Sequence, residues 1–219
     1  GDVYKRQTLL GIILGIESGW RRGLKSDRAM LTGLMSLNGF PDFFLGMVLL
    51  LIFGVTLGIM PLSGAATPYS GLSGIPLVID VLKHLALPAA ALILAHLAGS
   101  YLLTRNTMIS TLKSPFMLTA KAKGLSQRVL KYHHAGRNSM LPVVTMSGIL
   151  LGRVVTGALF VEIVFAYPGI GQLTYNALMA RDYPVIQGVF LIVAFSVLLA
   201  NLIVDLLYPK IDPRISYAY

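Results

Sequence analysis

Cysteine is absent from this sequence of 219 residues, and charged residues make up only 12% of it. Without cysteine, the chain has no disulfides, no cysteine-based zinc site and no thiol nucleophile. The charged fraction is about half of the roughly 25% usual in soluble domains. Hydrophobic residues account for 55%, which is more than a water-soluble core of this size needs. We therefore expect a polytopic membrane protein with a lipid-facing surface.

Motifs for nucleotide chemistry are missing as well. The chain has no Gly-x-x-x-x-Gly-Lys-Ser/Thr loop, so it cannot hydrolyse ATP by that route. Gly169-Ile170-Gly171 lacks the third glycine of a dinucleotide-binding turn and follows no predicted strand. We predict no catalytic residues, no cofactor and no metal site in this chain.

Five apolar runs predict membrane spans. A transmembrane helix needs roughly 20 mostly apolar residues, and the runs cover residues 3–16, 43–62, 85–104, 140–161 and 185–207. The first run is short and begins almost at the first residue, so we expect a fragment that lacks its natural N-terminus. The predicted fold is all-α, a polytopic membrane helix bundle with about five spans.

Basic residues are distributed unevenly between the connecting loops. The second and fourth loops contain one each, Lys83 and Arg181. Cytoplasmic loops are enriched in Lys and Arg, so we expect the other loops and the C-terminus to be cytoplasmic and the chain to begin outside. The net charge of +9 thus indicates membrane topology rather than nucleic-acid binding. The loops and tail expected in the cytoplasm contain Arg21, Arg22, Lys25, Arg28, Lys113, Lys121, Lys123, Arg128, Lys131, Arg137, Lys210 and Arg214.

The two less basic loops differ in composition. Residues 63–76 are rich in Gly, Ser and Pro, which predicts irregular structure. In the other loop, Pro168-Gly169 predicts a turn, and residues 172–179 favour a helix that is too short to span. Asp182-Tyr183-Pro184 then begins the last span. We expect the short helix to lie at the outer surface of the membrane.

The third loop predicts a short helix, a glycine bend and a second helix. Ser114-Pro115 is a favourable helix start, because Ser caps free amides and Pro suits the first turn. Gly124 is placed where a left-handed residue would end that helix, and Ser126 can cap the next. Such a knob fits a groove on a partner protein. The simpler alternative is an ordinary basic loop.

Sequence motifs in this loop resemble those of a known family. Thr119-Ala-Lys-Ala-Lys-Gly124-Leu-Ser and His134-Ala-Gly-Arg-Asn-Ser-Met-Leu-Pro142 resemble the cytoplasmic loop of binding-protein-dependent ABC importer permeases. The resemblance is strongest to the dipeptide, oligopeptide and nickel branch. Many members of the wider family have Glu-Ala-Ala before the loop glycine, whereas this chain has Leu118, Thr119 and Ala120. A carboxylate contact to the ATPase is therefore not expected.

Further motifs extend the resemblance over nearly the whole chain. They are Pro41-Asp42-Phe43-Phe44-Leu45-Gly46, Val161-Glu162-Ile163-Val164-Phe165, Pro168-Gly169-Ile170-Gly171, Arg181-Asp182-Tyr183-Pro184 and Asp212-Pro213-Arg214. They occur in the order and at the spacing of that branch. The resemblance implies a permease domain of the type I ABC importer kind over residues 1–219, with a coupling loop at residues 114–138 and the family's N-terminal helix missing.

The resemblance also implies partners and a location. They are a second homologous permease subunit, two ATP-binding ATPase subunits and an extracytoplasmic solute-binding protein, in a bacterial or archaeal plasma (inner) membrane. The chain would form half of an alternating-access path for a dipeptide, an oligopeptide, a glutathione-like solute or a nickel chelate. We expect the ATPase to contact six loop residues: Thr119, Ala120, Lys121, Ala122, Lys123 and Gly124.

Two side chains within the predicted spans are candidates for the translocation path. Arg153 would cost about 2.5–3.5 kcal/mol at the bilayer centre on insertion scales, so we expect it to face a wet path. The alternatives are that the span is shifted or that Arg153 snorkels to the interface. His96 faces the path or packs against neighbouring helices, and we favour packing. Asp205 lies near the cytoplasmic end of its span, where it reaches water or pairs locally.

A different class of membrane protein remains as an alternative. An ion-coupled carrier would need carboxylates within the membrane and usually paired repeats. A membrane enzyme would need convergent acids, histidines or a nucleophile. Only His96, Arg153 and Asp205 are available, and they have no motif spacing.

Overall fold

The computed structural model describes residues 2–140, 142–143 and 159–211. Every regular element in these ranges is helical, and no strand occurs among them. The all-α prediction is therefore confirmed.

The first part of the chain forms α1 (Asp2–Trp20), α2 (Lys25–Asn38) and α3 (Asp42–Leu49), which continues as a π-helical turn over Leu50–Thr56. The longest helix, α4 (Ile75–Leu112), has 38 residues. It is followed by α5 (Pro115–Ala122) and by a π-helical segment over Val129–Gly136. The last described elements are α6 (Leu159–Val164), α7 (Ile170–Ala180) and α8 (Tyr183–Ile211).

The observed helices overlap most of the predicted spans, but the predicted number of spans is not confirmed. By length and composition, only α4 is long and apolar enough to cross a bilayer among the described residues. Lys25–Asn38 and Asp42–Thr56 form a second candidate if two helices bent by 102° count as one span. Helix α8 covers the fifth predicted span, whereas most of the fourth, residues 140–161, lies outside the described residues. Five spans are thus not confirmed.

The second predicted span ends early. Residues 43–62 were expected to be helical, but the helix stops at Thr56, whose hydroxyl donates to the Leu51 carbonyl at 2.9 Å. Gly58 then adopts a φ of +63°, a backbone conformation that is open to glycine and ends a right-handed helix. The apolar composition continues beyond this point, so the span was predicted too long.

The described residues divide into two compact units, and each has its own core. The first unit is drawn from residues 1–39, 96–151 and 201–219. In it, α1 packs on α4 through glycines repeated every fourth residue. A Cβ at Gly11 would lie 2.0 Å from the Ser100 hydroxyl oxygen, and one at Gly15 would lie 2.5 Å from the Thr104 Cβ. The close approach of the two helices therefore requires glycine on α1.

The second unit is drawn from residues 40–95 and 152–200. Its core contains Leu87, Val161 and Phe165, all at most 5% exposed. Gly46 of α3 lies against the Phe165 ring, because a Cβ at this glycine would be only 3.1 Å from the ring. This packing explains the glycine of the motif that precedes the second predicted span.

Candidate functional site

The basic knob, residues 115–136, has the helix–bend–helix form that the sequence predicts. It consists of α5, a turn and the second knob helix, Val129–Gly136. Pro115 occupies the first turn of α5 as predicted, but Ser114 forms no side-chain cap among the described residues. Its hydroxyl donates instead to the Thr111 carbonyl at 2.5 Å. Ser126 does accept from the amide of Val129, at 3.5 Å.

Gly124 makes the bend of the knob. Its φ is +71°, in the left-handed region that disfavours residues with a Cβ. Its amide donates to the Lys121 carbonyl at 3.0 Å, and the Lys123 amide donates to the Thr119 carbonyl at 3.1 Å, which closes the end of α5. The predicted role of Gly124 in the bend is confirmed.

The face of α5 that contacts the rest of the chain differs from our expectation. We expected the small Ala120 to approach a partner, but it is 6% exposed and lies in the core of the first unit. Met117, one helical turn earlier, is fully buried in the same core. Positions three apart share a helix face, so Ala120 faces the core with Met117, whereas Thr119, Lys121 and Ala122 are exposed.

The second knob helix is held tightly to the chain. Leu130 is 2% exposed and Ala135 is fully buried, and both belong to the core that includes Ile12 and Ile16 of α1. Lys131 is also buried, and its ammonium forms an ion pair with Glu17 of α1. The knob is therefore a rigid extension of α1 rather than a loose loop.

The outer surface of the knob combines positive charge with exposed apolar side chains. Lys121, Lys123 and Arg128 are exposed. Phe116 and Leu118 are exposed by 43% and 65%. The sequence between Asp80 and Glu162 contains no acidic residue, so no carboxylate from this stretch offsets the charge. The surface suits a partner groove that is acidic and partly apolar.

A buried polar cluster lies beside α1, and the sequence analysis missed it. Asp27 of α2 is 2% exposed and accepts from the Arg105 guanidinium at 2.7 and 2.9 Å. It also accepts from the Ser18 hydroxyl at 2.5 Å and from the Gly23 amide at 2.8 Å. The Ser18 hydroxyl is 2.7 Å from the Tyr101 hydroxyl. The cluster joins α1, α2 and α4.

The ionisation of Asp27 follows from these partners. Asp27 lies in the basic segment between the first two predicted spans. Arg105 first, and then Ser18 and Gly23, hold the pKa of its carboxyl well below the usual range, although burial acts in the opposite direction. Asp27 is therefore ionised at neutral pH. The sequence contained a signal, because Asp27 is the only acidic residue among the four cations of its loop.

The Glu162 turn, residues 159–172, organises the start of α7. The carboxylate of Glu162 accepts from the amides of Gly171 at 2.8 Å and Gln172 at 3.2 Å. A Cβ at Gly169 would lie 2.3 Å from that carboxylate, and one at Gly171 would lie 2.6 Å from the Leu159 Cα. These contacts explain why the Pro-Gly-x-Gly motif follows a glutamate. The predicted short helix is confirmed as α7.

The structure describes only some of the side chains proposed for the translocation path. The side chain of His96 is exposed in this chain on its own, and its packing against neighbouring helices stays a prediction. Its carbonyl accepts from the amide of the Gln7 side chain at 2.9 Å. Arg153 lies outside the described residues, and only the backbone of Asp205 is described. Of these three side chains, the structure therefore describes only that of His96.

The all-helical architecture and the long apolar helix α4 fit the class of helical membrane proteins. Residues 7–217 match the family described as binding-protein-dependent transport system inner membrane component. The chain belongs to this family of inner-membrane transport proteins, which confirms the resemblance found in its motifs.

Similar proteins have peptide-transport names. The chain is 40% identical to a protein of Brucella ovis named as a peptide permease, over 95% of this chain and 64% of the relative. It is 35% identical to the dipeptide transport system permease protein DppB of Escherichia coli, over 96% of this chain and 67% of that protein. It is 38% identical to the glutathione transport system permease protein GsiC of Pectobacterium atrosepticum, over 95% of this chain and 64% of that protein. The chain thus spans less than two thirds of the Brucella and Pectobacterium relatives.

Proposed function

We propose that this chain is a transmembrane permease subunit of an ATP-driven importer for peptides or related small solutes. The observation that carries the proposal is the basic knob, whose outer surface combines exposed positive charge with exposed apolar side chains. Family membership and the names of the relatives support the same function. The candidate solutes are a dipeptide, an oligopeptide, a glutathione-like molecule and a nickel chelate.

The proposed mechanism divides the work between subunits. Two separate ATPase subunits hydrolyse ATP, because this chain has no phosphate-binding loop. Their closure moves the basic knob, and the knob carries the movement into the helices of this chain. A second homologous permease completes the path, and an extracytoplasmic binding protein delivers the solute. The coupling loop spans residues 114–138 of the permease domain.

The contact with the ATPase is proposed at the knob residues that face outward. They include Thr119, Lys121, Ala122, Lys123 and Gly124, whereas Ala120 supports them from the core. Leu118, at the position where the wider family often has a glutamate, adds an apolar contact. Arg153 and His96 stay candidates for the solute path, and transport by Arg153→Leu tests the first of them.

The orientation of the chain is part of the proposal. Lys25, Lys121 and Lys210 are placed in the cytoplasm, and Ser73 and Asn176 outside, on the charge distribution of the loops. Because the chain has no cysteine, single cysteines can be labelled from outside intact cells. Labelling at position 121 but not at position 73 would reverse the orientation.

The experiment is assembly of the full-length protein with the subunits encoded beside its gene. We expect the ATPase to co-purify and its activity to rise with binding protein and solute. Leu118→Ser removes an exposed apolar group of the knob and is expected to weaken co-purification. Leu178→Ser, on α7, is the matched control, since Leu178 is similarly exposed at 57%. An equal effect of both variants, or no ATPase with the wild-type protein, would count against the proposal.

A further inference from the structure

Two consecutive residues at the end of α1 connect the basic knob to the buried polar cluster. Glu17 forms an ion pair with Lys131 of the second knob helix. Ser18 contacts both Asp27 of α2 and Tyr101 of α4. The last turn of α1 therefore touches the knob on one side and two other helices on the other.

The burial of Lys131 makes its ion pair with Glu17 specific. The Lys131 side chain is 11% exposed, and that of Glu17 is 24% exposed. Arg21 also pairs with Glu17, at 2.8 Å, but its side chain is 50% exposed. A buried cation left without its partner is costly, whereas an exposed one is solvated by water. Lys131 thus depends on Glu17, and Arg21 does not.

A second contact fixes the direction of the knob relative to α1. At Gly136, a Cβ would lie 3.2 Å from the Ile16 side chain and 2.9 Å from the Lys131 carbonyl. The second knob helix therefore approaches α1 both at the ion pair and at this glycine. Contact at two positions along a helix restricts tilting as well as separation.

We infer that Glu17 is a positioning residue that transmits movement of the basic knob, through Lys131, to α1 and from Ser18 to α2 and α4. The inference rests on the proposed function, because it assumes that an ATPase moves the knob. It assigns the transmission to one ion pair, in addition to the apolar contacts around it. The Arg105–Asp27 pair then keeps α2 and α4 fixed to the same turn of α1.

The test uses the assembled transporter and separates coupling from stability. In the double variant Glu17→Gln with Lys131→Met, no buried charge is left unpaired, so folding is expected to be retained. We expect the ATPase still to bind, while solute-stimulated ATP hydrolysis falls about fivefold or more, the low end of ordinary coupling effects. Arg21→Gln is the matched control and is expected to keep wild-type coupling.

Charge reversal provides an independent test. In an Arg21→Gln background, Glu17→Lys alone and Lys131→Glu alone are expected to lose coupling, and the two together are expected to regain most of it. The inference is overturned if the neutral double variant couples normally, or if the reversed pair does no better than either reversal alone. If the wild-type protein binds no ATPase, the proposed function itself fails, so the two failures are distinguishable.

Discussion

Asp27 and Glu162 are both carboxylates that fix helices, but they do so by different means. Asp27 is almost fully buried, and two of its hydrogen bonds come from a guanidinium. Glu162 is half-buried and accepts two backbone amides at the start of α7. The buried polar cluster beside α1 therefore depends on charge balance, whereas the Glu162 turn depends on backbone fit and glycine.

The largest loss of folding stability is expected from Asp27→Ala. Removing this carboxylate leaves the Arg105 guanidinium, whose side chain is only 13% exposed, without its anion. Breaking one side of a buried pair typically costs about 3–5 kcal/mol. Thermal unfolding of the purified protein in detergent measures the loss. Arg105→Met added to Asp27→Ala is expected to recover part of it, and a single variant as stable as wild type would contradict the role of charge.

The same pair predicts a loss of stability in acid. The folded-state pKa of Asp27 is lowered from an ordinary value of 3.8, so its contribution is complete at neutral pH. The contribution declines as the pH falls below that ordinary value towards the folded pKa. Asp27→Asn is expected to be less stable at neutral pH and to have a smaller acid dependence.

At the Glu162 turn, the largest loss of folding stability is expected when a single methyl group is added at Gly171. In Gly171→Ala the new Cβ would lie 2.6 Å from the Leu159 Cα, which belongs to the backbone and cannot rotate away. Overpacking of this kind costs about 1–3 kcal/mol, and unfolding in detergent measures it. Gly188→Ala in α8 is the control, because its Cβ would have no described atom within 4 Å. Equal stability of the two variants would refute the backbone-fit explanation.

A smaller effect is expected from the glutamate of that turn. Glu162→Ala exposes the amides of Gly171 and Gln172 at the helix start, and loss of a cap costs about 1 kcal/mol. Glu162→Gln keeps one acceptor oxygen and is expected to cost less. Unfolding of both variants measures the difference, and a Gln variant as unstable as the Ala variant would show that charge matters here too.

A loss of stability of similar size to that of Glu162→Ala is expected at the bend of the knob. Gly124→Val places a β-branched residue at a φ of +71°, which costs about 1–2 kcal/mol of backbone strain. A Cβ there would meet no described atom within 4 Å, so no steric term is added. Gly124→Asn is the control, since Asn tolerates this conformation. Insertion measured by membrane fractionation is expected to be normal, with solute-stimulated ATP hydrolysis reduced for Val alone.

Local features were predictable where one residue determines the conformation. Gly124 identified the bend of the knob, and Pro168-Gly169 with Asp182 delimited α7. Gly11 and Gly15 are four residues apart in the sequence, so their packing stripe could have been found.

Features that depend on distant pairing were not predictable. Asp27 and Arg105 are separated by 78 residues, and neither has a motif that identifies the other. Ala120 was wrongly predicted to face a partner rather than the core, because a small residue suits a partner groove and a tight core equally well. Only the packing of α5 into the core of the first unit decides between them.

The most direct test of contact between the basic knob and the ATPase is a crosslinking experiment in the assembled transporter. The chain has no cysteine, so Leu118→Cys introduces a single exposed thiol on the knob, and Leu178→Cys introduces one on α7. We predict that the thiol at position 118 crosslinks to the ATPase subunit and that the thiol at position 178 does not. Absence of a crosslink at position 118, with ATP hydrolysis still coupled to transport, would contradict the account and leave the knob an ordinary basic loop.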